Sequence, residues 1–486
     1  MLRNRLQVWA DSEGILEESQ AGFRPERSCL DQIIVLKAAT QLQLRLGSRK
    51  VFSVFVDFRR AFDSIPHDKL WQKLFHLGVT SKFVKIIKSL YDSASIQVKA
   101  GGRLSDPLLV SSGVLQGESL SPLLFILYIA DLEKYLRELG FRGVNINGIT
   151  DVLLLLYAYD LVILVESELV LKKILIALDS YCSDLGLSVN SDKTKVMIFR
   201  EGGRVSPELS STLGFLAAKE AVIKARQASG AVFAIFARGK CDSWSSMIRL
   251  FEAITKTTLL YASPAWALNY LDHLETAQLS FVKRLLLLPK NTPSCALRLE
   301  TGLLRVEYAV CKATLNYIIK ILEMEDHRLP KICLRRMFEL DSDPNPLKDV
   351  AKFKKFNWGT RICNFLSLVG APELWGNFGA ADWLGNREGM LERLKQFLLE
   401  QDWVDWNKCI HKIPVARNVL GSASMYLLNR GPIAYTRIKA QFRLANSHNC
   451  ALRAREVVLQ SRNMEPVRAD QLITRFLLSE SQPSEG

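Results

Sequence analysis

The sequence lacks the features that mark a disulfide-stapled, zinc-stapled or membrane-spanning protein. Its nine cysteines stand singly, and the closest pair is Cys295 and Cys311, so neither a disulfide framework nor a CxxC metal clip is predicted. Cys409-x-His411 and His448-x-Cys450 offer the donors of a tetrahedral site, but their spacing matches no recognised zinc pattern. A reducing compartment is therefore expected.

A signal peptide and long apolar runs are also missing. Residues 1–20 carry several charges and no apolar stretch of the kind that signal peptides contain. The longest apolar run, residues 152–165, is interrupted by Asp160 and is shorter than the roughly 20 residues of a membrane helix. We predict no membrane partner and an intracellular location; nucleus and cytoplasm both remain open, as does the oligomeric state.

Basic residues are in excess, with 64 Lys and Arg against 50 Asp and Glu, a net charge of +14 and a pI near 9.3. This balance is typical of proteins that bind polyanions, although some basic proteins have no such partner. The chain is 48% hydrophobic and 23% charged, as folded globular proteins are. Its 486 residues predict two or three domains.

The periodicity predicts an α+β front half and a helical back half. The turn-rich stretch 201–216 has the composition of a linker, and apolar-periodic helices follow from about Ala217. Before the linker, a mixed sheet backed by helices is predicted. Its strands are expected at 51–57, 152–157, 161–165 and 196–199, and its helices at 28–46, 66–77, 81–91, 121–139 and 167–185.

Two aspartates stand at strand ends in this pattern. Asp57 ends the first strand, and Asp160 lies with Tyr159 at the tip of a predicted hairpin. If these strands are neighbours, the two carboxylates converge on one edge of the sheet. Such an edge suits nucleotidyl transfer, which uses two divalent ions held by oxygen ligands. Taken singly, each aspartate is more often a strand-end or helix-cap residue.

Five motifs between residues 20 and 199 resemble, in order and spacing, those of non-LTR, LINE-type retrotransposon reverse transcriptases. They are Gln20-Ala-Gly-Phe-Arg24 with Asp31-Gln32, Val56-Asp57-Phe-Arg-Arg-Ala-Phe62-Asp63, Gly113-Val-Leu-Gln-Gly117 with Leu120-Ser-Pro-Leu-Leu-Phe125, Tyr157-Ala-Tyr-Asp160, and Gly186-Leu187 with Asn190 and Lys193-Thr194-Lys195. The back half is more loosely similar, through residues 259–266 and 285–293.

The resemblance implies a right-hand polymerase with partial fingers, palm and thumb, followed by a mainly α-helical C-terminal region. The implied segments are residues 1–50 for the partial fingers, 51–200 for the palm, 201–330 for a thumb-like region and 331–486 for a basic helical region. The implied activity is RNA-directed DNA synthesis. Its partners would be an RNA template, a DNA primer and deoxynucleoside triphosphates, with Mg²⁺, or Mn²⁺ as an alternative.

The same resemblance implies roles for individual residues. Asp57, Asp160 and the backbone carbonyl of Phe58 are expected to hold metal, and Phe62 to act as the aromatic gate against a ribose 2′-hydroxyl. Gln116 and Gly117 are expected to border the nucleotide, because glycine lets the backbone approach the substrate. Lys193, or Lys195 in its place, is expected near the departing pyrophosphate, whereas Asp63 is assigned to a turn.

Basic clusters in the back half are candidates for contact with nucleic acid. Lys283 and Arg284 form one, and Lys354 and Lys355 lie in another that also carries phenylalanines for base stacking. Arg335 and Arg336 form a third. A solvated helix face explains each cluster equally well.

The sequence departs from the family where Tyr159 occupies the position of the first aspartate of the paired box. A neutral phenol with a pKa near 10 does not replace a carboxylate as a metal ligand. We also expect the upstream fingers segment to be missing before Gln20, and only Leu213-Gly214 remains of the expected primer-grip signature. We therefore expect a shortened, weakly active or inactive copy.

Two alternatives remain open. The first is a nucleic-acid-binding remnant that keeps a basic cleft without catalysis. The second is a fragment that does not fold, because incomplete fingers leave apolar surface uncovered.

Overall fold

The computed structural model describes residues 1–45, 50–200, 212–239, 243–341, 358–409, 427 and 433–444. The chain divides into two compact units, one of residues 1–211 with 321–360 and one of residues 212–320 with 361–486. Residues 321–341 thus belong with the front of the chain. The four segments named from the resemblance stay a prediction.

The first unit contains a four-stranded sheet, short two-residue strands and flanking helices. Its helices before residue 211 are α1 (Leu2–Ser12), α2 (Cys29–Arg45), α3 (His67–His76), α4 (Ser81–Asp92), α5 (Ser121–Tyr128), α6 (Leu132–Glu138) and α7 (Glu168–Leu185). Its strands are β1 (Val51–Val56), β2 (Ser95–Ile96), β3 (Lys99–Ala100), β4 (Arg103–Leu104), β5 (Leu108–Leu109), β6 (Val144–Asn145), β7 (Asp151–Val152), β8 (Leu154–Tyr157), β9 (Asp160–Val165) and β10 (Lys195–Phe199).

The main sheet is antiparallel, in the order β10-β1-β9-β8. The central strand β1 is β-branched and aromatic and almost wholly buried, as expected for a strand covered on both faces. In the register of the sheet, Val56 of β1 pairs with Leu161 of β9. Helices α2 and α7 pack against the sheet, α2 on β1 and β8 and α7 on β9.

Glycine follows two helices of this unit, α3 and α7. Gly78 follows α3 with a φ of 95°, and Gly186 caps α7 with a φ of 71°. Both values lie in the left-handed region, where glycine has no Cβ penalty. Each glycine therefore lets the chain leave its helix without steric strain.

The predicted helix 121–139 is interrupted between α5 and α6. Tyr128 is the last residue of α5, and its hydroxyl donates to the carbonyl of Leu185 at the end of α7. Asp131, in the interruption, accepts a 2.6 Å hydrogen bond from Tyr181 and forms an ion pair with Lys73. These contacts with α7 and α3 fix the break, and apolar periodicity does not reveal them.

The segment after residue 320 is tied to the front of the chain by charge as well as packing. Helix α15 (Leu329–Asp341) packs against α2. Just before it, Arg328 contacts the Glu18 carboxylate at 2.8 Å and lies 3.5 Å from that of Asp31. Because Arg328 and Asp31 are buried, these pairs hold the two stretches together within the first unit.

The second unit is helical in its described part. Its α-helices are α8 (Thr212–Arg238), α9 (Trp244–Leu250), α10 (Thr257–Leu259), α11 (Ser263–Trp266), α12 (Leu271–Leu285), α13 (Ser294–Thr301), α14 (Val306–Glu323, which ends in the first unit), α16 (Trp358–Leu368), α17 (Ala380–Cys409) and α18 (Ile433–Leu444), with a π-helical turn at Phe251–Lys256. Leu213 and Gly214, expected in the linker, lie in α8. The rest of that linker up to residue 211 is outside the described residues.

A buried ion-pair network joins helices of the second unit. Asp402 of α17 accepts a 2.8 Å hydrogen bond from Nε of Arg298 and one of 2.9 Å from Nε of Arg305. Arg298 also donates to Glu275 at 2.7 Å. Because each buried charge has partners of opposite sign, the network ties α12 and α13 to α17.

None of the helices in the described ranges is long and apolar enough to cross a lipid bilayer.

Candidate active site

Two aspartates lie opposite each other at one end of the β1–β9 pair. Asp57 directly follows Val56, Asp160 directly precedes Leu161, and Val56 and Leu161 are partners in the antiparallel register. Burial, and next the charge of Asp57, raise the pKa of Asp160 above its ordinary value. The sheet therefore brings together the two carboxylates that the sequence analysis singled out.

The hairpin that carries Asp160 is tighter than its sequence suggests. Tyr157 pairs with Asp160, so the two-residue turn consists of Ala158 and Tyr159. Asp160 was predicted at the tip together with Tyr159, but it is the first residue of β9, so the turn lies one position earlier than predicted. Because strand pairing begins at Asp160, its backbone is fixed by the sheet.

Asp57 is held by residues from the last motif. Asn190 donates a 3.0 Å hydrogen bond to Oδ2 of Asp57, and the Nζ atom of Lys193 lies 3.7 Å from the same oxygen. The backbone N–H of Asn190 also donates to the Asp57 carbonyl at 2.7 Å. The sequence analysis placed Asn190 in a motif but gave it no role; the structure makes it the principal neighbour of this carboxylate.

An open cavity of about 1070 Å³ lies beside Asp57. Most of the site residues predicted in the first unit line it: Asp57, Phe58, Phe62, Gln116, Gly117, Tyr159 and Lys193. Asp160 is not among the lining residues. Arg59 and Arg60 are, so the wall carries positive charge beside Asp57.

Three aromatic rings meet in and beneath the cavity. Phe62 stacks on the buried Phe125, with centroids 5.2 Å apart and an interplanar angle of 26°. Tyr159 meets Phe62 edge-on at 5.8 Å and Phe125 edge-on at 6.5 Å. Tyr159 therefore packs against the predicted gate residue, although 38% of its surface is exposed.

The loop that precedes α5 is held close to Phe62 by its backbone. Val114 donates a 2.7 Å hydrogen bond to the Phe62 carbonyl, and Gly113 donates one of 2.8 Å to the Ile65 carbonyl. A Cβ on Gly113 would lie 2.7 Å from Cα of Asp63, so this position requires glycine. The loop places Gln116 and Gly117 on the cavity wall.

Asp63 contacts the loop that precedes α5 as well as its own turn. Its backbone N–H donates to the Arg60 carbonyl at 2.9 Å, in line with the turn predicted here. Its carboxylate accepts a 3.0 Å hydrogen bond from the amide of Gln116. This second contact orients Gln116, and motif spacing alone does not reveal it.

Glu118 is a lining residue that the sequence analysis did not single out. Its Oε2 atom accepts hydrogen bonds from Ser121 at 2.8 Å and Tyr91 at 3.1 Å. Burial raises the pKa of Tyr91 to about 12, so the phenol stays a donor. Glu118 is thereby fixed at the start of α5, and only its place beside Gly117 hinted at a role.

Of the three predicted basic clusters, one makes contacts within the second unit, one forms ion pairs within the first unit, and one lies outside the described residues. Arg335 pairs with Asp326 at 3.2 Å and Arg336 with Glu339 at 3.0 Å, both within the first unit. Lys283 donates to the carbonyls of Thr292 and Lys290 at 2.6 and 2.9 Å, and Arg284 lies 4.4 Å over the ring of Phe233. Lys354 and Lys355 lie outside the described residues. Their nucleic-acid roles stay predictions.

The two facing carboxylates of the site have the chemistry to hold a divalent ion. In the part of the chain that the structure describes, no group of three or more His, Cys, Asp or Glu residues is arranged to hold a metal. Burial, and next the charge of Asp57, raise the pKa of Asp160, and a cation between these two facing carboxylates would relieve their repulsion. Magnesium is commonly bound by one or two carboxylates together with substrate phosphates, so Asp57 and Asp160 fit it.

The front of the chain is similar to known reverse transcriptases. Residues 1–229 match the family model described as reverse transcriptase (RNA-dependent DNA polymerase). A Pol polyprotein from the Drosophila melanogaster type-2 retrotransposable element R2DM is 30% identical over 36% of this chain and 16% of that protein. The RNA-directed DNA polymerase from the mobile element jockey of Drosophila funebris is 25% identical over 43% of this chain and 22% of that protein.

An apo telomerase structure from Candida tropicalis is 12% identical, with a TM-score of 0.35 over 68% of this chain and 60% of that chain. Of the two retrotransposon proteins named above, the chain spans less than a quarter of the length. The family match confirms the predicted resemblance and the α+β polymerase class for the front of the chain.

Proposed function

Since residues 1–229 are a reverse transcriptase domain related to non-LTR retrotransposon proteins, we propose that this chain carries the site of an RNA-directed DNA polymerase weakened by Tyr159. One observation carries the proposal: Asp57 and Asp160 face each other across β1 and β9, while Tyr159 lies in the turn between β8 and β9. The substrates are an RNA template, a DNA primer and deoxynucleoside triphosphates.

Reverse transcriptases generally use divalent metal ions, and we propose that the ion here is Mg²⁺, with Mn²⁺ as an alternative. Asp57, Asp160 and the Phe58 carbonyl would hold it. When bound, such an ion lowers the pKa of the attacking hydroxyl and neutralises phosphate charge. The contacts around Asp57 support this assignment, because Asn190 occupies only one carboxylate oxygen, Oδ2.

The other cavity residues act on the nucleotide. Gln116, oriented by Asp63, and Gly117 bind it along the loop before α5. Phe62 excludes a ribose 2′-hydroxyl, since its ring is fixed by stacking on Phe125. The Nζ atom of Lys193, 3.7 Å from the Asp57 carboxylate, supplies a proton or positive charge to the departing pyrophosphate.

Tyr159 weakens this site because it supplies no carboxylate ligand for the metal ion. A phenol offers one neutral oxygen where the family has a carboxylate, and the ring is turned edge-on to Phe62. Losing one preorganised electrostatic group typically costs about 10²- to 10³-fold in rate. We expect a loss of at least this size.

A second candidate function is nucleic-acid binding without catalysis. Arg59 and Arg60 line the cavity, and the chain carries a net charge of +14. A binding protein of this kind would retain RNA–DNA duplex with an affinity that falls steeply as salt rises. It would extend no primer, whether residue 159 is tyrosine or aspartate.

The test is primer extension on an RNA template with Mg²⁺ and then Mn²⁺, comparing the unaltered chain with Tyr159→Asp. Tyr159→Phe is the matched control, because it keeps the ring and adds no ligand. Extension by Tyr159→Asp alone supports the proposal. Efficient extension by the unaltered chain contradicts the weakening, and binding without extension by every variant favours the second function.

A further inference from the structure

The turn that presents Tyr159 and Asp160 contains a strained residue. Ala158 has a φ of 62°, in the left-handed region that few residues other than glycine adopt readily. It is also 6% exposed, so its backbone N–H and C=O have little access to water. A buried, strained turn of this kind needs partners for both polar groups.

One buried side chain supplies both partners. The Oε1 atom of Gln20 accepts a 3.0 Å hydrogen bond from the Ala158 N–H, and its Nε2 atom donates to the Ala158 carbonyl at 3.2 Å. Oε1 also accepts from the Gly22 N–H at 2.8 Å. Gln20 is 4% exposed, so these bonds are shielded from water.

The backbone around Gln20 is matched to the same turn. Gln20 forms a parallel bridge with Leu156, whose carbonyl accepts a 2.9 Å hydrogen bond from Ala21. A Cβ on Gly22 would lie 2.0 Å from the Ala158 nitrogen, so only glycine fits there. Residues 20–22 therefore clamp the β8–β9 turn from outside the sheet.

We propose that Gln20 is a positioning residue: its amide fixes the backbone of Ala158 and thereby sets where Tyr159 and Asp160 stand relative to Asp57. Gln20 itself is not among the residues that line the cavity. The catalytic consequence rests on the proposed polymerase function, whereas the structural consequence does not.

The first arm of the test measures amide hydrogen exchange in Gln20→Leu, which keeps the volume and removes the three hydrogen bonds. Exchange at residues 157–161 is expected to rise about tenfold or more. Gly22→Ala is the second variant and is expected to give the same local change. The control is Gln43→Leu, because Gln43 is also buried but donates to the Asn145 carbonyl.

The proposal would be overturned if amide exchange at the turn does not change in Gln20→Leu. It would also be overturned if exchange there rises equally in Gln43→Leu. Because this arm requires no activity, it decides the positioning role even if no variant extends a primer.

The second arm measures primer extension against Mn²⁺ concentration in the Tyr159→Asp background. Adding Gln20→Leu is expected to raise the half-saturating Mn²⁺ several-fold, because a misplaced Asp160 binds the ion less well. Adding Gln43→Leu lowers at most the active fraction and leaves half-saturation unchanged. An unchanged half-saturation in both would refute the catalytic part while leaving the polymerase proposal intact.

Discussion

The ring of Tyr159 stands edge-on to the ring of Phe62, with 5.8 Å between their centroids, in the cavity that Asp57 also lines. The substituted position is therefore packed as well as chemically altered. Restoring an aspartate there removes this ring contact and places a third negative charge beside Asp57 and Asp160. Stability and activity are expected to change in opposite directions.

Tyr159→Asp should lower the free energy of unfolding by about 1 kcal/mol, the usual worth of aromatic pairs, with repulsion between carboxylates adding to it. Tyr159→Phe keeps the ring and should be nearly neutral. Urea unfolding of both variants without divalent ions measures the difference. Equal stability of Tyr159→Asp and the unaltered chain would show that the ring contributes no packing energy.

Asn190→Ala removes the hydrogen bond to the Asp57 carboxylate. The expected loss is about 1–2 kcal/mol, because bonds to charged groups exceed neutral ones. Asn190→Asp should cost more, since it sets a second negative charge beside Asp57. Thermal unfolding compares both with Asn386→Ala, whose side chain is exposed and bonded only to its own helix. An Asn190→Ala variant as stable as that control would contradict the role assigned to Asn190.

Asp160→Asn should change the dependence of stability on pH. The raised pKa of Asp160 means that the folded state holds this proton more tightly than the unfolded chain does. That contribution is present below the ordinary aspartate pKa and is lost as pH rises through the raised value. From about pH 4 to pH 7 the free energy of unfolding of Asp160→Asn should therefore rise relative to that of the unaltered chain. The expected rise is less than about 1 kcal/mol, because the side chain is exposed.

Unfolding in a chelating buffer at several pH values measures this gain. If the difference in free energy of unfolding between the two proteins stays constant across that range, the pKa of Asp160 is not raised.

Asp402→Ala should destabilise the second unit severely. It leaves the charge of the buried Arg298 without its main partner, a loss that typically costs about 3–5 kcal/mol. Glu392→Ala is the matched control, because the carboxylate of Glu392 contacts Lys395 at 3.5 Å on the surface of the same helix. Calorimetry should show a large fall in transition temperature only for Asp402→Ala. A similar, small fall for both would mean that the network contributes little.

Much of the first unit follows from its sequence. Periodicity and helix-ending glycines predicted α2, α3, α4 and α7, and the apolar runs predicted β1, β9 and β10, which lie within about two residues of the expected limits. The convergence of Asp57 and Asp160 also followed, because strand ends carry residues to a sheet edge. These features depend on local pattern, which the sequence displays directly.

Other features depend on tertiary contacts between distant residues. The interruption of the 121–139 helix is fixed by Asp131 with Tyr181 and Lys73. Gln20 reaches Ala158 across 138 positions of sequence. No periodicity encodes such pairs, so the motif containing Gln20 was visible while its contact with the turn was not.

The most direct test is the rate of single-nucleotide incorporation by Tyr159→Asp compared with Tyr159→Asn, on the same RNA template and primer with Mg²⁺. The two variants remove the same ring and differ in charge. We predict that the incorporation rate of Tyr159→Asp exceeds that of the unaltered chain by about 100-fold or more, while that of Tyr159→Asn does not. Equal rates for the two variants would contradict the claim that a missing carboxylate is what weakens this site.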